Sequence, residues 1–144
     1  RIGFVTTTST QSQMKGRLEG YMKAIDKVGM DLLVKKINPS LTEEDVALQL
    51  QSFIVDNKLD AVLFATNYLA INGLKIIKKY KIAIDKLVSF DENTAFALVE
   101  PPVSAISQNI KGIASEVVRI LLSQIDGKST DIEKVVIPCD LIER

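Results

Sequence analysis

The 144 residues carry 18 Lys and Arg against 18 Asp and Glu, no histidine and one cysteine, with 47% hydrophobic and 25% charged. That length and balance describe about one ordinary globular domain with a single sizeable core. Zero formal charge leaves no electrostatic footprint for gripping phosphate backbones, Cys139 alone closes no intrachain disulfide and fits a reducing compartment, and no apolar run is long enough to span a bilayer.

The chain opens on Arg1 and enters an apolar β-rich run, 2–5, with no leader and no initiator methionine, and is read as an excised piece of a longer protein. After the polar stretch 6–13, Met14, Leu18, Met22, Ile25 and Val28 recur at helical spacing up to Gly29. Residues 32–37 are the next strand, punctuated by Pro39 and Ser40. Thr42 ahead of Glu43, Glu44 and Asp45 marks a helix start, with a capping hydroxyl and acids where the dipole favours them. That helix carries Val46, Leu50, Phe53 and Ile54 and ends near Asn57. Residues 61–65 are a third strand leading into a helix over 67–80, and 87–90 are a fourth. The rhythm breaks at Glu100, Pro101 and Pro102, after which 103–107 reads as extended. A long amphipathic helix follows on Ile110, Ile113, Val117, Leu121 and Ile125 and ends at Gly127; 135–138 is a last apolar run, read as strand.

These strands are short and continuously apolar rather than alternating, which suits strands covered on both faces. Strand and helix trade places every 25–30 residues or so, as in right-handed crossovers. The class is therefore α/β, a doubly wound, mostly parallel sheet with helices on both faces.

In such sheets ligands sit beyond the carboxyl ends of the strands. Asp91 follows the fourth strand, Thr66 and Asn67 the third, and the run Thr6 to Thr10 the first. Arg17 lies about two turns into the first helix, where its side chain leans back over the strand ends. The chemistry of this set is limited. With no histidine the usual general base and commonest metal ligand are missing. No glycine-rich loop follows the first strand, which removes dinucleotide and P-loop readings, and threonines stand where a receiver domain needs acids for Mg²⁺. Ser9 and Ser12 have no base, and Cys139 no partner. The expectation is no enzyme, no catalytic residue, no metal and no cofactor. One carboxylate, one guanidinium, amides and hydroxyls suit fixed hydrogen bonds to a small polyhydroxyl or heterocyclic molecule. Plainer readings stand beside these: Asp91 or Asn67 as helix caps, Arg17 as a solvated helix residue, the threonine run as loop, and Cys139 as a small buried hydrophobe.

Four segments in series, RIGFVTTTSTQSQMKGRLEGYMKAI, DAVLFATNYLAINGLKII, LVSFDEN with VEPPVSAISQN, and EKVVIPCDLIER, together resemble the lactose/galactose-repressor family of bacterial transcription regulators. RIGFVTTTSTQSQMKGRLEGYMKAI resembles the start of that family's C-terminal effector-binding subdomain, with its Arg-Leu-x-Gly-aromatic segment. DAVLFATNYLAINGLKII resembles its strand-Asn-Asp-x-x-Ala-x-Gly segment. LVSFDEN with VEPPVSAISQN resembles its Phe-Asp-Asp … Pro-Pro-Leu-Thr-Thr-x-x-Gln signature, and EKVVIPCDLIER its closing strand and arginine. The resemblance covers essentially the whole chain.

It implies that Arg17, Asn67, Asp91 and Gln108 face an effector cleft, the last on resemblance alone. Tyr68 departs from the family's usual Asp, and Ala70 from a larger apolar residue, both bearing on pocket polarity. Tyr68, Phe90 and Phe96 are the aromatic candidates for stacking on a ligand. The resemblance divides the chain into an effector-binding subdomain, 1–107, a crossover helix and strand, 108–139, belonging to an absent N-terminal subdomain, and a return segment, 140–144. It further implies a small effector, a sugar or sugar derivative; operator DNA held by an absent N-terminal head; a cytoplasmic location; and a homodimer. For the dimer, the helix 67–80 is apolar on more than one face, and Leu69, Ile71, Leu74 and Val99 are the interface candidates. The helix 110–125, deprived of its natural partner, is expected to dock on a vacated sheet face or swap onto another copy. A periplasmic sugar-binding protein of a transporter or chemoreceptor is the alternative. It shares the fold, but such proteins tend to stack sugars on tryptophan, and this chain has none.

Overall fold

The computed structural model describes residues 1–127 and 132–144. Six strands form one sheet in the order β2-β1-β3-β4-β5-β6. They are β1 (Ile2–Thr7), β2 (Leu33–Ile37), β3 (Ala61–Phe64), β4 (Lys86–Phe90), β5 (Val103–Gln108) and β6 (Cys139–Ile142). The first five run parallel, and β6 pairs antiparallel with β5. The helices are α1 (Ser12–Lys27), α2 (Glu43–Asp56), α3 (Asn67–Tyr80) and α4 (Ile110–Ile125). The sheet is therefore doubly wound and mostly parallel, as its continuously apolar strands imply.

Alternation along the central strands sends side chains to two cores. Phe4 and Ala65 pack with Met14, Tyr21 and Ile25 of α1. Their strand neighbours Val5 and Phe64 turn to the opposite face, where Val46, Leu50 and Ile54 of α2 meet Leu69, Ile76 and Ile77 of α3. The Tyr21 ring stacks on Phe4 with centroids 5.0 Å apart. Its hydroxyl donates to the Ile2 carbonyl at 2.8 Å, and burial pushes its pKa above the ordinary tyrosine value. Thr42 caps α2 through the Asp45 amide, as its position ahead of three acids implies.

Several expectations need correction. Residues 132–138 form no strand; the last strand is β6, one step further on. The apolar side chains of Val135, Val136 and Ile137 instead line a cavity of about 470 Å³ with Ile113, Val117 and Ile120 of α4. Pro138, lacking an N–H, marks the edge of the ladder. Cys139 is exposed rather than buried, because β6 is an edge strand. Helix α4 does not dock on the sheet: none of its residues is buried. Only Asn109 separates it from β5, too short a connection to fold it back onto either face. It packs beside the 132–138 segment, with Arg119 bonded to both Glu116 and Glu133.

Candidate functional site

Three of the four proposed ligand residues meet at the carboxyl ends of β3, β4 and β5. Arg17 stands on the second turn of α1, and its guanidinium reaches over the strand ends. Nη1 donates to the Ala65 carbonyl at 2.6 Å and to Asp91 Oδ2 at 3.2 Å, and Nη2 to Asp91 Oδ1 at 3.4 Å. Gln108, the last residue of β5, donates from Nε2 to the same Oδ1. The Arg17 and Asp91 side chains retain 12% and 30% of their exposure, so the pair is shielded but reachable. The guanidinium also lies over the Phe90 ring, 4.7 Å from its centroid.

Asp91 is fixed by backbone geometry as well as by charge. Its φ of 68° is in the left-handed region, which Asp and Asn tolerate better than most residues. Its amide donates to the Ile106 carbonyl at 3.0 Å, tying the end of β4 to β5. The helix-cap reading does not hold for it, since Asn93 caps the short 3-10 turn Thr94–Ala97 that follows. Asn67 is not the cap of α3 either: Thr66 accepts from the Leu69 amide. Asn67 opens the helix, half-buried, and is not drawn into the Arg17–Asp91–Gln108 cluster.

The aromatic and interface candidates separate by burial. Tyr68 is 59% exposed at the start of α3, and Phe90 is half-buried beneath Arg17, where it serves as a platform for the guanidinium. Phe96 is fully buried in the core, so its ring cannot stack on a ligand. Leu69 and Ala70 are likewise fully buried, which removes Leu69 from any interface and Ala70 from the pocket lining. Ile71, Leu74 and Val99 pack against the core while keeping part of their surface.

Sequence reasoning missed a second ion pair beside the first. Arg144 Nη2 meets Glu92 Oε1 at 2.7 Å, and its Nη1 donates to the Val103 carbonyl at 2.8 Å. The residue after Asp91 is thereby clamped to the end of β6. Only the antiparallel return of β6 brings Arg144 there, and nothing local in the sequence signals that pairing.

The cluster holds hydrogen-bonding capacity in reserve. A carboxylate offers about four acceptor positions and a guanidinium five donors. Gln108 and Arg17 use three of the former, and Ala65 and Asp91 three of the latter. Donors and acceptors are left side by side on a locally neutral platform, a combination suited to hydroxyls, which both give and take hydrogen bonds. No group of three or more His, Cys, Asp or Glu side chains among the described residues could hold a metal ion.

The chain was compared with known proteins. A family model described as a periplasmic binding protein-like domain matches residues 1–144. An HTH-type transcriptional regulator, CelR of Thermobifida fusca, is 23% identical over 96% of this chain and 43% of its own length. The structure of a CelR–cellobiose complex superposes with a TM-score of 0.85 at 22% identity, over 100% of this chain and 46% of that one. A lac repressor dimer bound to operator and the anti-inducer ONPF gives a TM-score of 0.81 at 17% identity, over 100% of this chain and 51% of that one. The chain thus spans roughly half the length of these relatives or less. With a match from the first residue to the last, on a doubly wound sheet whose polar cluster sits at the strand ends, the chain belongs to the periplasmic binding protein-like domain family.

Proposed function

We propose that this chain is half of the effector-sensing domain of a DNA-binding transcriptional repressor, binding a sugar or sugar derivative at Arg17, Asp91 and Gln108. The observation that carries the reading is the self-neutralised Arg17–Asp91 pair, braced by Gln108 and Phe90 at the strand ends of this fold. Its fixed donors and acceptors need little reordering to meet vicinal hydroxyls, and they do not demand a charged ligand. Asn67 and the exposed Tyr68 would border the same opening from the start of α3. In this reading α4 and the segment 132–138 belong with a second half that closes over the ligand, and operator DNA is held by a separate head in the cytoplasm. Two regulators among the comparisons support it: one was solved with cellobiose, another as a dimer on operator.

A thermal-shift panel on the intact protein tests the ligand class. Mono- and disaccharides are expected to raise its melting temperature; stabilisation by amino acids alone would reject the reading.

Homodimerisation belongs to the same proposal. Ile71 and Leu74 on α3 keep exposed surface, as does Val99, and Leu98 is 86% exposed. An aspartate at Ile71 would bury a charge in such an interface, so Ile71→Asp is expected to yield monomers by light scattering. A wild type that is already monomeric at high concentration contradicts the assignment.

A further inference from the structure

We propose a second subsite for the ligand, an oxyanion pocket at the ends of β1 and β2 that takes the phosphate of a phosphorylated sugar. The proposal deepens the sensing function above and rests on it. A cavity of about 390 Å³ is lined by Thr6, Thr7, Thr8, Ser9 and Thr10 together with Met14, Lys15, Leu18 and Lys36. Five hydroxyls and two lysines meet there with no carboxylate in the lining. Thr6 and Lys36 are register partners on adjacent parallel strands, so their side chains share a face. Phe4, two residues before Thr6, packs under α1, which places Thr6 and Lys36 on the α1 side as well.

The Thr6 hydroxyl carries the inference. Thr6 is 2% exposed, and among the described residues its Oγ1 is the buried side-chain polar atom with no hydrogen-bond partner. An unpaired buried hydroxyl is costly, so one that lines a cavity marks a place where a partner from outside is wanted. The surroundings indicate the sign of that partner's charge. The first turn of helix α1 contributes Met14 and Lys15 to the lining, and that turn has no side-chain N-cap and no acid, leaving its positive end unneutralised. Thr7 Oγ1 and Ser9 Oγ accept from the amides of Ser9 and Gln11, which leaves their hydroxyl protons free to donate. Neither Lys15 nor Lys36 has an ion-pair partner among the described residues.

Position links this pocket to the first site. Leu18 lines it and Arg17 is the adjacent residue of the same helix. The midpoint of β1 and β2 lies two strand spacings from that of β3 and β4, about 10 Å. One phosphorylated sugar can therefore set its hydroxyls on Asp91 and its phosphate beneath Lys15 and Lys36.

Inorganic phosphate is the probe. Titrated calorimetrically into the intact protein at constant ionic strength with chloride as reference, it is expected to bind saturably. Lys15→Gln, Lys36→Gln and Thr6→Val should each weaken that binding, roughly tenfold for the loss of one charge-assisted bond. Thr6→Ser, which keeps the hydroxyl, should restore it. Because Thr6→Val removes an unpaired buried polar group, it should also raise the melting temperature in phosphate-free buffer, showing that the variant is folded. Phosphate no better than chloride, or equal binding by wild type and a Lys15→Gln/Lys36→Gln double variant, overturns the subsite. Neither result touches the sugar panel, which reads the Arg17 cluster independently.

Discussion

Asp91→Asn in the intact protein is expected to reduce the response to effector about tenfold or more while operator affinity stays near that of wild type. Asparagine is the informative replacement because it tolerates the left-handed backbone, φ 68°, that Asp91 adopts. Its side-chain oxygen can still accept from Gln108. Its amide, however, has no second acceptor for Arg17, and the negative charge is gone. Arg17 then faces the ligand as an unpaired, mostly shielded cation, and the carboxylate position left to accept from a ligand hydroxyl is lost. One hydrogen bond to a charged group contributes about 1.5–3 kcal/mol, which is one or two decades in affinity. Effector titrated against an operator-bound complex, wild type beside variant, reads the effect directly. An unshifted curve would remove Asp91 from the ligand site. Asp91→Ala serves as a contrast: it adds a backbone penalty of roughly 1–2 kcal/mol and should lower stability as well as response.

The site was legible in the sequence to the extent that strand ends were legible. Asp91 directly after an apolar run, and an arginine two turns into the first helix pattern, were enough to place both near one opening. That they pair with each other, instead of each waiting for ligand, depends on how far α1 leans over β3 and β4, which no local spacing reports. Gln108 came from resemblance alone, and its contact with Asp91 follows from the β4–β5 register that sets Phe90 beside Ile106. Phe96 misled because an aromatic in a polar loop reads like a pocket residue, whereas the 3-10 turn Thr94–Ala97 folds it into the core.

The fold was recovered where hydrophobic period and burial agreed, from β1 to β5. It failed at the end of the chain for a physical reason. Val135 to Pro138 is the more apolar run, but Val135, Val136 and Ile137 line a cavity beside α4, while the less apolar Cys139–Ile142 forms the strand. An antiparallel edge strand has one open side and need not be continuously apolar. Apolarity alone therefore marks contact with something and leaves open whether that partner is a sheet or a helix.

Phe64→Ala is expected to cost about 3–5 kcal/mol, a large share of the roughly 5–15 kcal/mol that holds a typical domain folded. Phe64 is fully buried at the end of β3, and its ring fills the space under Gly73 in the middle of α3. A methyl group at Gly73 would overlap the ring at Cζ and stand 2.7 Å from Cε1, so the helix comes this close to the sheet only because position 73 lacks a side chain. The same contact serves the site, since the next residue, Ala65, presents the carbonyl that receives Arg17. A double-mutant cycle isolates it. On helix propensity alone Gly73→Ala should stabilise by about 1 kcal/mol. Against the wild-type ring it should instead destabilise, because overpacking costs about 1–3 kcal/mol. In a Phe64→Leu background the ring edge is gone, and the same substitution should become neutral or stabilising. Urea unfolding of the four proteins measures the coupling, which for residues in contact reaches about 0.5–3 kcal/mol. If Gly73→Ala stabilises both backgrounds equally, helix α3 can move off the sheet without cost, and the packing assigned to Phe64 does not hold in place the Ala65 carbonyl that receives Arg17.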